Sequence, residues 1–348
     1  MAITQTTSTL RRDLWRKELY ADVAKEIYFE KLIDRSDVTS LGLREETSPA
    51  GCIQEITDLS KEQGQQITFG LATKLSGTGV TGDNELEGNE EEISTYSEVL
   101  AIDQKRNAVR LKGRMDEKKA AYNMRTNAKT MLSIWMAETV QKDLFDKLCG
   151  KAASTFANTP DVAAATRSVY AGGRTADSQL LAAETFDTKC INAAKQKAQM
   201  ASPKIRPIRV GGKAYYVCVI HPYQAADLRL DPVWAQAQRE ANVRGETNPI
   251  FTGALGVWNQ VIVHEHEDIY TGNDGSGSAP IARAILMGAQ AGILAYGAPV
   301  NWTEKSFDYG NKWGISCGRI WGCIKPIFNS VDYGIITVYS AATTATTT

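Results

Sequence analysis

Residues 115–149 read MDEKKAAYNMRTNAKTMLSIWMAETVQKDLFDKLC, a run with no proline and no glycine. Ala121, Met124, Ala128, Met131 and Trp135 recur at helical spacing and lead into Met136, Val140, Leu144 and Leu148. The pattern predicts one helix of about 35 residues, about 50 Å long, stopped by Gly150. Helices in compact domains average three or four turns. This one predicts an elongated, flat molecule with the helix as its spine.

Outward towards the N-terminus, Gln65–Leu75 alternates, with Ile67, Phe69 and Leu71 on one face, which predicts a strand. Residues 76–92 are a Gly- and acid-rich loop, and strand patterns return at Val99–Ile102 and Ala108–Lys112. Together they predict a long two-stranded excursion with a large tip. Such a hairpin is marginal alone and needs a partner surface, in its own chain or in a neighbour. Arg11–Leu32 has helical periodicity through Trp15, Leu19, Val23 and Ile27, behind a Thr-rich tail of residues 1–10.

Outward towards the C-terminus, residues 151–179 are Ala/Thr/Gly-rich, and Leu181–Met200 predicts a second helix with Phe186, Cys190, Ala193 and Met200 on one side. Pro203 and Pro207 end it. Strands are expected at Ala214–Ile220, Val257–His264 and Ile281–Met287, with a helix pair over Pro222–Asn242 broken at Asp231-Pro232. Ile315–Tyr339 predicts three short strands punctuated by Gly318, Gly322 and Gly334, followed by an Ala/Thr tail.

At 348 residues the chain is one elaborated domain or two to three lobes. Hydrophobic residues are 43% and charged residues 23%, an ordinary globular balance. Lys and Arg total 39 against 40 Asp and Glu, so any contact with nucleic acid must come from local patches. No apolar run opens the chain, so no secretory signal is expected. The uncharged run Ala284–Thr303 is long enough to span a bilayer, but Gly288, Gln290, Gly292, Gly297, Pro299 and Asn301 predict a buried strand followed by a short helix. No membrane partner is expected. Six cysteines without a C-x-x-C pair predict buried thiols in a reducing compartment.

Several enzyme-like patterns fail on their context. Gly77-Thr-Gly79-Val-Thr-Gly82 spells G-x-G-x-x-G, with Asp103 downstream, but the acids that follow would repel a pyrophosphate. Asp83-x-Glu85-x-Glu87-Gly88 opens like a calcium loop, yet the twelfth position is Ser94. Gly314-Ile-Ser316-Cys-Gly318 resembles a nucleophile elbow, but no His follows His266, so the hydrolase order cannot be completed. His264 and His266 fall on one strand face, where His221 could join them, but polar strand ends give the simpler reading. No catalytic, metal or cofactor site is expected, and the chain is read as no enzyme.

Two charge features remain. Asp83–Asp103 holds eight acids and no base, and Lys105–Arg114 holds five bases and no acid. Thr188–Ala226 holds seven bases and no acid: Lys189, Lys195, Lys197, Lys204, Arg206, Arg209 and Lys213. These runs are either solvated faces or complementary docking surfaces between copies, or contacts to a polyanion.

Leu75-Ser-Gly77-Thr-Gly79-Val80-Thr-Gly82-Asp83, Leu86-Glu87-Gly88-Asn89-Glu90-Glu91 and Asp103-Gln-Lys-Arg106-Asn-Ala108-Val109 follow one another in order. Phe307-Asp308-Tyr309-Gly310-Asn311-Lys-Trp-Gly314 and Phe328-Asn329-Ser-Val-Asp332-Tyr333-Gly334 come later. Over about Asp58–Tyr339 these blocks resemble the major capsid proteins of tailed bacteriophages of the podovirus type. The resemblance implies an α+β chain with the Hong Kong 97-like capsid fold. Its parts would be an N-terminal arm (1–57), an extended E-loop (58–114), a peripheral domain with the spine helix (115–204), an axial domain (205–300), and return strands of the peripheral domain with a C-terminal tail (301–348).

The implied function is structural: self-assembly into hexamers and pentamers of an icosahedral head around double-stranded DNA. An encapsulin-like compartment shell is the alternative. The implied partners are other copies, a separate scaffolding protein (only about ten residues precede the first predicted helix), a portal protein, a decoration protein and packaged DNA. The implied location is the virion, after assembly in the bacterial cytoplasm. The inter-subunit loop is expected at Gly77, Gly79, Gly82, Asp83, Glu87, Glu90, Glu91 and Glu92. A basic face for a neighbour or DNA is expected at Lys204, Arg206, Arg209 and Lys213.

Overall fold

The computed structural model describes residues 28–34, 51–57, 64–72, 79–82, 84–88, 90, 95–119, 124–151, 156–159, 162–210, 213–241 and 254–342. In chain order the strands β1 (Ile33–Asp34), β2 (Ile53–Ile56), β3 (Gln66–Ala72), β4 (Thr95–Ala101) and β5 (Asp103–Arg110) come first. The helices α1 (Arg114–Lys119) and α2 (Met124–Leu148) follow, then β6 (Ser168–Tyr170), α3 (Thr188–Met200), β7 (Ile208–Val210) and β8 (Lys213–Ile220). Next are α4 (Pro222–Leu230), α5 (Pro232–Ala241), β9 (Ala254–Trp258), β10 (Val261–Glu265), β11 (Thr271–Gly272) and β12 (Ile281–Met287). The chain closes with β13 (Gly292–Phe307), β14 (Lys312–Ile324), β15 (Ile327–Phe328), β16 (Val331–Asp332) and β17 (Ile335–Ala341).

Two sheets carry the molecule. The first has the order β1-β2-β13-β14-β5; the second runs β6-β17-β12-β8-β10-β9, with β7 and β11 as side pairings. β3 and β4 form a separate two-stranded hairpin. β13 runs through residue 300, and the second sheet takes β6 and β17 from outside 205–300.

The long helix lies against the first sheet. Its buried stripe is Ala128, Leu132, Met136, Val140, Leu144 and Leu148, at a steady four-residue spacing, joined by Ala137 and Phe145. Across from it sit Leu294, Trp302, Ile315, Cys317, Trp321 and Cys323. Each fully buried Leu, Met or Phe contributes roughly 1.5–3 kcal/mol. Met131, expected on the stripe, is 61% exposed, because the buried ridge runs one position further on. Residues 120–123, between α1 and α2, lie outside the described residues, so the helix is seen over Arg114–Lys119 and Met124–Leu148. A second core packs α3 and α4 on the second sheet through Ile191, Ala194, Ala198, Leu228, Val263 and Leu286.

Several elements differ from the sequence expectation. The second helix starts at Thr188, not Leu181, where Asp187 caps it by accepting the Cys190 N–H. Its buried face is Cys190, Ile191, Ala194 and Ala198, leaving Ala193 and Met200 exposed. The single strand at Val257–His264 is a hairpin of β9 and β10, turned at Asn259 and Gln260 with φ +46° and +62°. The stretch after Met287 is the long strand β13, not a helix, and Ile315–Tyr339 begins inside β14, a 13-residue strand. Of the predicted N-terminal helix at 11–32, the described part is residues 28–32, a short 3-10 turn at Tyr28–Lys31 that leads into β1; the rest of 11–32 and the tails 1–10 and 343–348 lie outside the described residues.

Candidate assembly surface

The hairpin β3–β4 is in full register from Gln66↔Ala101 to Ala72↔Thr95. Its return continues almost directly into β5, which pairs with β14 in the first sheet, so Ala108–Arg110 belong to that sheet and not to the two-stranded excursion. The hairpin root is bound to its own chain. Leu100 and Ile102 are buried with Ile56, Ile293 and Ala295, and Ile67 and Phe69 pack against them. Asn158 clamps Ala101 from both sides: its Oδ1 accepts the Ala101 N–H at 3.0 Å and its Nδ2 donates to the Ala101 carbonyl at 2.9 Å. Glu98 accepts the Ile327 N–H at 2.6 Å. The β14 backbone passes so close beneath the root that a Cβ on Gly322 would lie 2.1 Å from the Ala101 carbonyl oxygen.

The tip is built differently. Gly79, Gly82 and Gly88 are left-handed (φ +67°, +68° and +86°) with open space around them, so glycine serves backbone geometry there and not packing. Glu85, Glu87 and Glu90 are exposed, and Leu86 between them is 61% exposed. The Asn84 side-chain amide donates to the Thr81 carbonyl, and the Gly88 N–H donates to Glu90. Gly77, Asp83, Glu91 and Glu92 lie outside the described residues. Among the described residues no helix follows the glycines: residues 84–88 are loop and turn, without the phosphate-binding element that the dinucleotide pattern needs.

The basic runs divide. In the first, Arg106, Arg110, Lys112 and Arg114 are exposed, whereas Lys105 is half-buried over the rings of Phe156 and Trp321. In the second, Lys204, Arg206, Arg209 and Lys213 are exposed around the β7–β8 hairpin. Lys195 is buried, donating to Asn259 and Gln260, and Lys197 donates to the carbonyls of Ala165 and Ser168. Burial, reinforced by the nearby Arg167 charge, pulls Lys197 below the usual lysine range. These three lysines are engaged within their own chain.

The enzyme-like residues are also structural. Ser316 sits inside β14 and its hydroxyl donates to the Thr303 carbonyl at 3.2 Å. His221 is the N-cap of α4, its Nδ1 accepting the Tyr223 N–H, while Gln224 accepts the His221 N–H. His266 stacks on Phe145 at 4.5 Å and packs against Tyr28, whose N–H donates to Gln141 of α2. Burial holds both His221 and His266 below the usual imidazole range. All six cysteines are buried and unbridged. Among the described residues no group of three or more His, Cys, Asp or Glu is placed to hold a metal. No helix among them is long and apolar enough to cross a membrane.

Sequence reasoning missed three features. Trp321 Nε1–H and the Cys323 thiol both donate to the buried Asp143 of α2, tying the helix to β14. Burial pushes the Asp143 carboxyl up. Lys325 and Asp332 form an ion pair at 2.5 Å with 3% and 1% of their side chains exposed. Tyr309, at the turn between β13 and β14, is fully exposed. The first links residues nearly 180 positions apart, so no local pattern announces it, and the second joins two residues across the short β15–β16 hairpin whose burial the sequence does not reveal. The third lies inside a block that the resemblance had already picked out.

The sequence profile of a phage capsid protein family matches residues 4–344. The chain is 32% identical over 337 residues to the major capsid protein of Pseudomonas phage KPP25, covering 85% of this chain and 89% of that one. Its structure is similar to the capsid of Ralstonia phage GP4, with a TM-score of 0.81 and 28% identity over 92% of this chain and 93% of that one. It is also similar to the cyanophage Pam1 capsid subunit, with a TM-score of 0.72 and 24% identity over 89% and 96% of the two chains. Nothing in these comparisons favours the encapsulin-like alternative over a phage head. A two-sheet α+β body, a spine helix under the first sheet, an extended acidic hairpin and these relatives lead to one assignment: the chain belongs to the phage capsid protein family, as a structural major capsid subunit with the Hong Kong 97-like fold.

Proposed function

We propose that the chain works by association, not catalysis: copies form hexamers and pentamers that close into an icosahedral head around double-stranded DNA. The observation that carries this is the β3–β4 hairpin, locked at its root by Asn158 and Glu98 yet holding its acidic tip exposed. Such an arm gains most when its tip rests on another copy, so contacts that are marginal singly become cooperative in a lattice. The division into N-terminal arm (1–57), E-loop (58–114), peripheral parts (115–204 and 301–348) and axial domain (205–300) belongs to this reading. So do Gly79, Gly82, Glu87 and Glu90 as inter-subunit residues, together with Gly77, Asp83, Glu91 and Glu92. The exposed Lys204, Arg206, Arg209 and Lys213 form a basic face for a neighbour or for DNA phosphates. A scaffolding protein, a portal and a decoration protein are the further partners, and assembly takes place in the bacterial cytoplasm.

Deleting residues 77–89 tests the arm. The subunit should keep its circular-dichroism spectrum, because exposed loop tips tolerate removal. Particle sizing should then show capsomers or monomers in place of closed shells. Shells of unchanged stability from this variant would reduce the tip to a solvated loop.

A further inference from the structure

We infer that the tip of the β13–β14 hairpin is the receptor for the acidic β3–β4 tip of a second copy, with Tyr309 against Leu86. The inference rests on the self-association proposed above and assigns its contact residues.

The backbone of the receiving tip is held by its own chain. Asp308, Tyr309 and Gly310 are consecutive left-handed residues, with φ +54°, +50° and +83°. Two of the three are not glycine, and such backbone persists only where its surroundings hold it. Here the Asn311 N–H donates to the Asp308 carbonyl at 2.9 Å, and the Asn311 carbonyl accepts the Arg114 N–H at 3.1 Å. Lys312 pairs with Asp308 at 3.3 Å. The loop therefore holds the Tyr309 ring out in water, at 109% relative exposure. An aromatic side chain carries only two side-chain torsions to immobilise and offers a large apolar face, the profile of an interface anchor.

Its surroundings are basic. Arg110, Lys112, Arg114 and Lys305 are exposed beside the hairpin end, and the Arg110 guanidinium and Lys305 ammonium lie 4.3 and 5.2 Å from the Phe307 ring centroid. Asp308 is engaged by Lys312, and Asp116 and Glu117 follow in the first turn of α1. The β3–β4 tip carries the opposite pattern at the same scale: exposed Leu86 flanked by exposed Glu85 and Glu87, with Glu90 beside them. An apolar residue in an acidic rim thus has, on every copy, an aromatic residue in a basic rim to meet. Leu86 and Tyr309 are both left exposed within one chain, so the pairing is between copies. Two different patches on identical subunits make a head-to-tail contact, the type that forms rings when the rotation between copies closes.

The test places the photocrosslinker p-benzoylphenylalanine at position 309, which keeps an aromatic side chain there, and irradiates assembled shells. The expected product is covalent multimers in which position 309 of one copy is joined to residues 84–88 of another. Multimers joined elsewhere, a 309-to-309 product included, or irradiated shells without multimers, would overturn the pairing. Leu86→Cys with Tyr309→Cys gives an independent reading, since the native thiols are buried. Under mild oxidation the double variant should form an intersubunit ladder absent from either single variant, and its absence from intact shells counts against the pairing. Electron microscopy of the unaltered chain, run in parallel, reports self-association separately: shells without these crosslinks sink the contact alone, while no shells at all sink the reading beneath it.

Discussion

Met131→Pro is expected to cost about 3 kcal/mol or more and to remove most soluble protein, while Met131→Ala leaves yield and melting within about 0.5 kcal/mol of the parent. The contrast follows from where Met131 sits. Its side chain is 61% exposed, so alanine removes little packing. Its backbone lies in the interior of α2, between Met124 and Leu148. Proline there deletes one main-chain hydrogen bond and drives its ring into the preceding turn. The damage spreads because Leu132, Met136, Val140, Leu144 and Leu148 share one ridge against the first sheet, and a kink lifts part of that ridge out of register. Against a typical total of 5–15 kcal/mol, this loss is a large fraction. Thermal melts followed by circular dichroism measure it. A proline variant that melts with the alanine variant would show that the segment does not act as a continuous helix.

Asp332→Ala should be comparably severe, at about 3–5 kcal/mol. Asp332 faces Lys325 at 2.5 Å, and its second oxygen accepts the Ala164 N–H at 3.0 Å. Arg167, 1% exposed, lies near enough that the Asp332 charge opposes the downward pull of burial on its guanidinium. Removing the carboxylate takes from buried Lys325 the anion it pairs with and from buried Arg167 a charge that supports its guanidinium. Lys325→Met added to Asp332→Ala should recover part of the loss but not all, because Arg167 remains. Denaturant titration of the three variants gives the numbers. A loss below about 1 kcal/mol for Asp332→Ala would mean that water or another group replaces the carboxylate at no net cost.

The elements legible in the sequence were those whose own pattern decides them. Gln66–Ala72 alternates and is a strand; Met124–Leu148 lacks breakers and is a helix; Asp231-Pro232 separates α4 from α5. The misreadings have physical causes. β13 contains Gly297 and Pro299, which argue against a strand, but the register shifts between Tyr296 and Ala298 and again between Ala298 and Asn301. A bulge is where a proline needs no ladder bond. The β9–β10 turn uses Asn259 and Gln260 in left-handed conformations without a glycine, which leaves only a weak signal. Leu181 and Phe186 suggested a helix, but Phe186 is buried ahead of the Asp187 cap, outside any helical turn.

For the candidate surface, sequence located the acidic tip and the exposed bases but could not separate Lys105, Lys195 and Lys197 from them. Those three look identical to their neighbours until the rings and carbonyls they touch are in place. Tyr309 needed the structure for the same reason. An aromatic residue between Asp308 and Gly310 reads as an ordinary turn until its exposure is known.

A shell subunit of this kind holds its assembly together through contacts between copies. Electron microscopy of the purified full-length chain, with the 77–89 deletion imaged beside it, tests that most directly. Closed particles built of hexameric and pentameric rings are expected from the full chain, and folded subunits or open rings from the deletion. A full-length chain that stays monomeric at every protein and salt concentration, or a deletion that closes shells as readily as its parent, would contradict this.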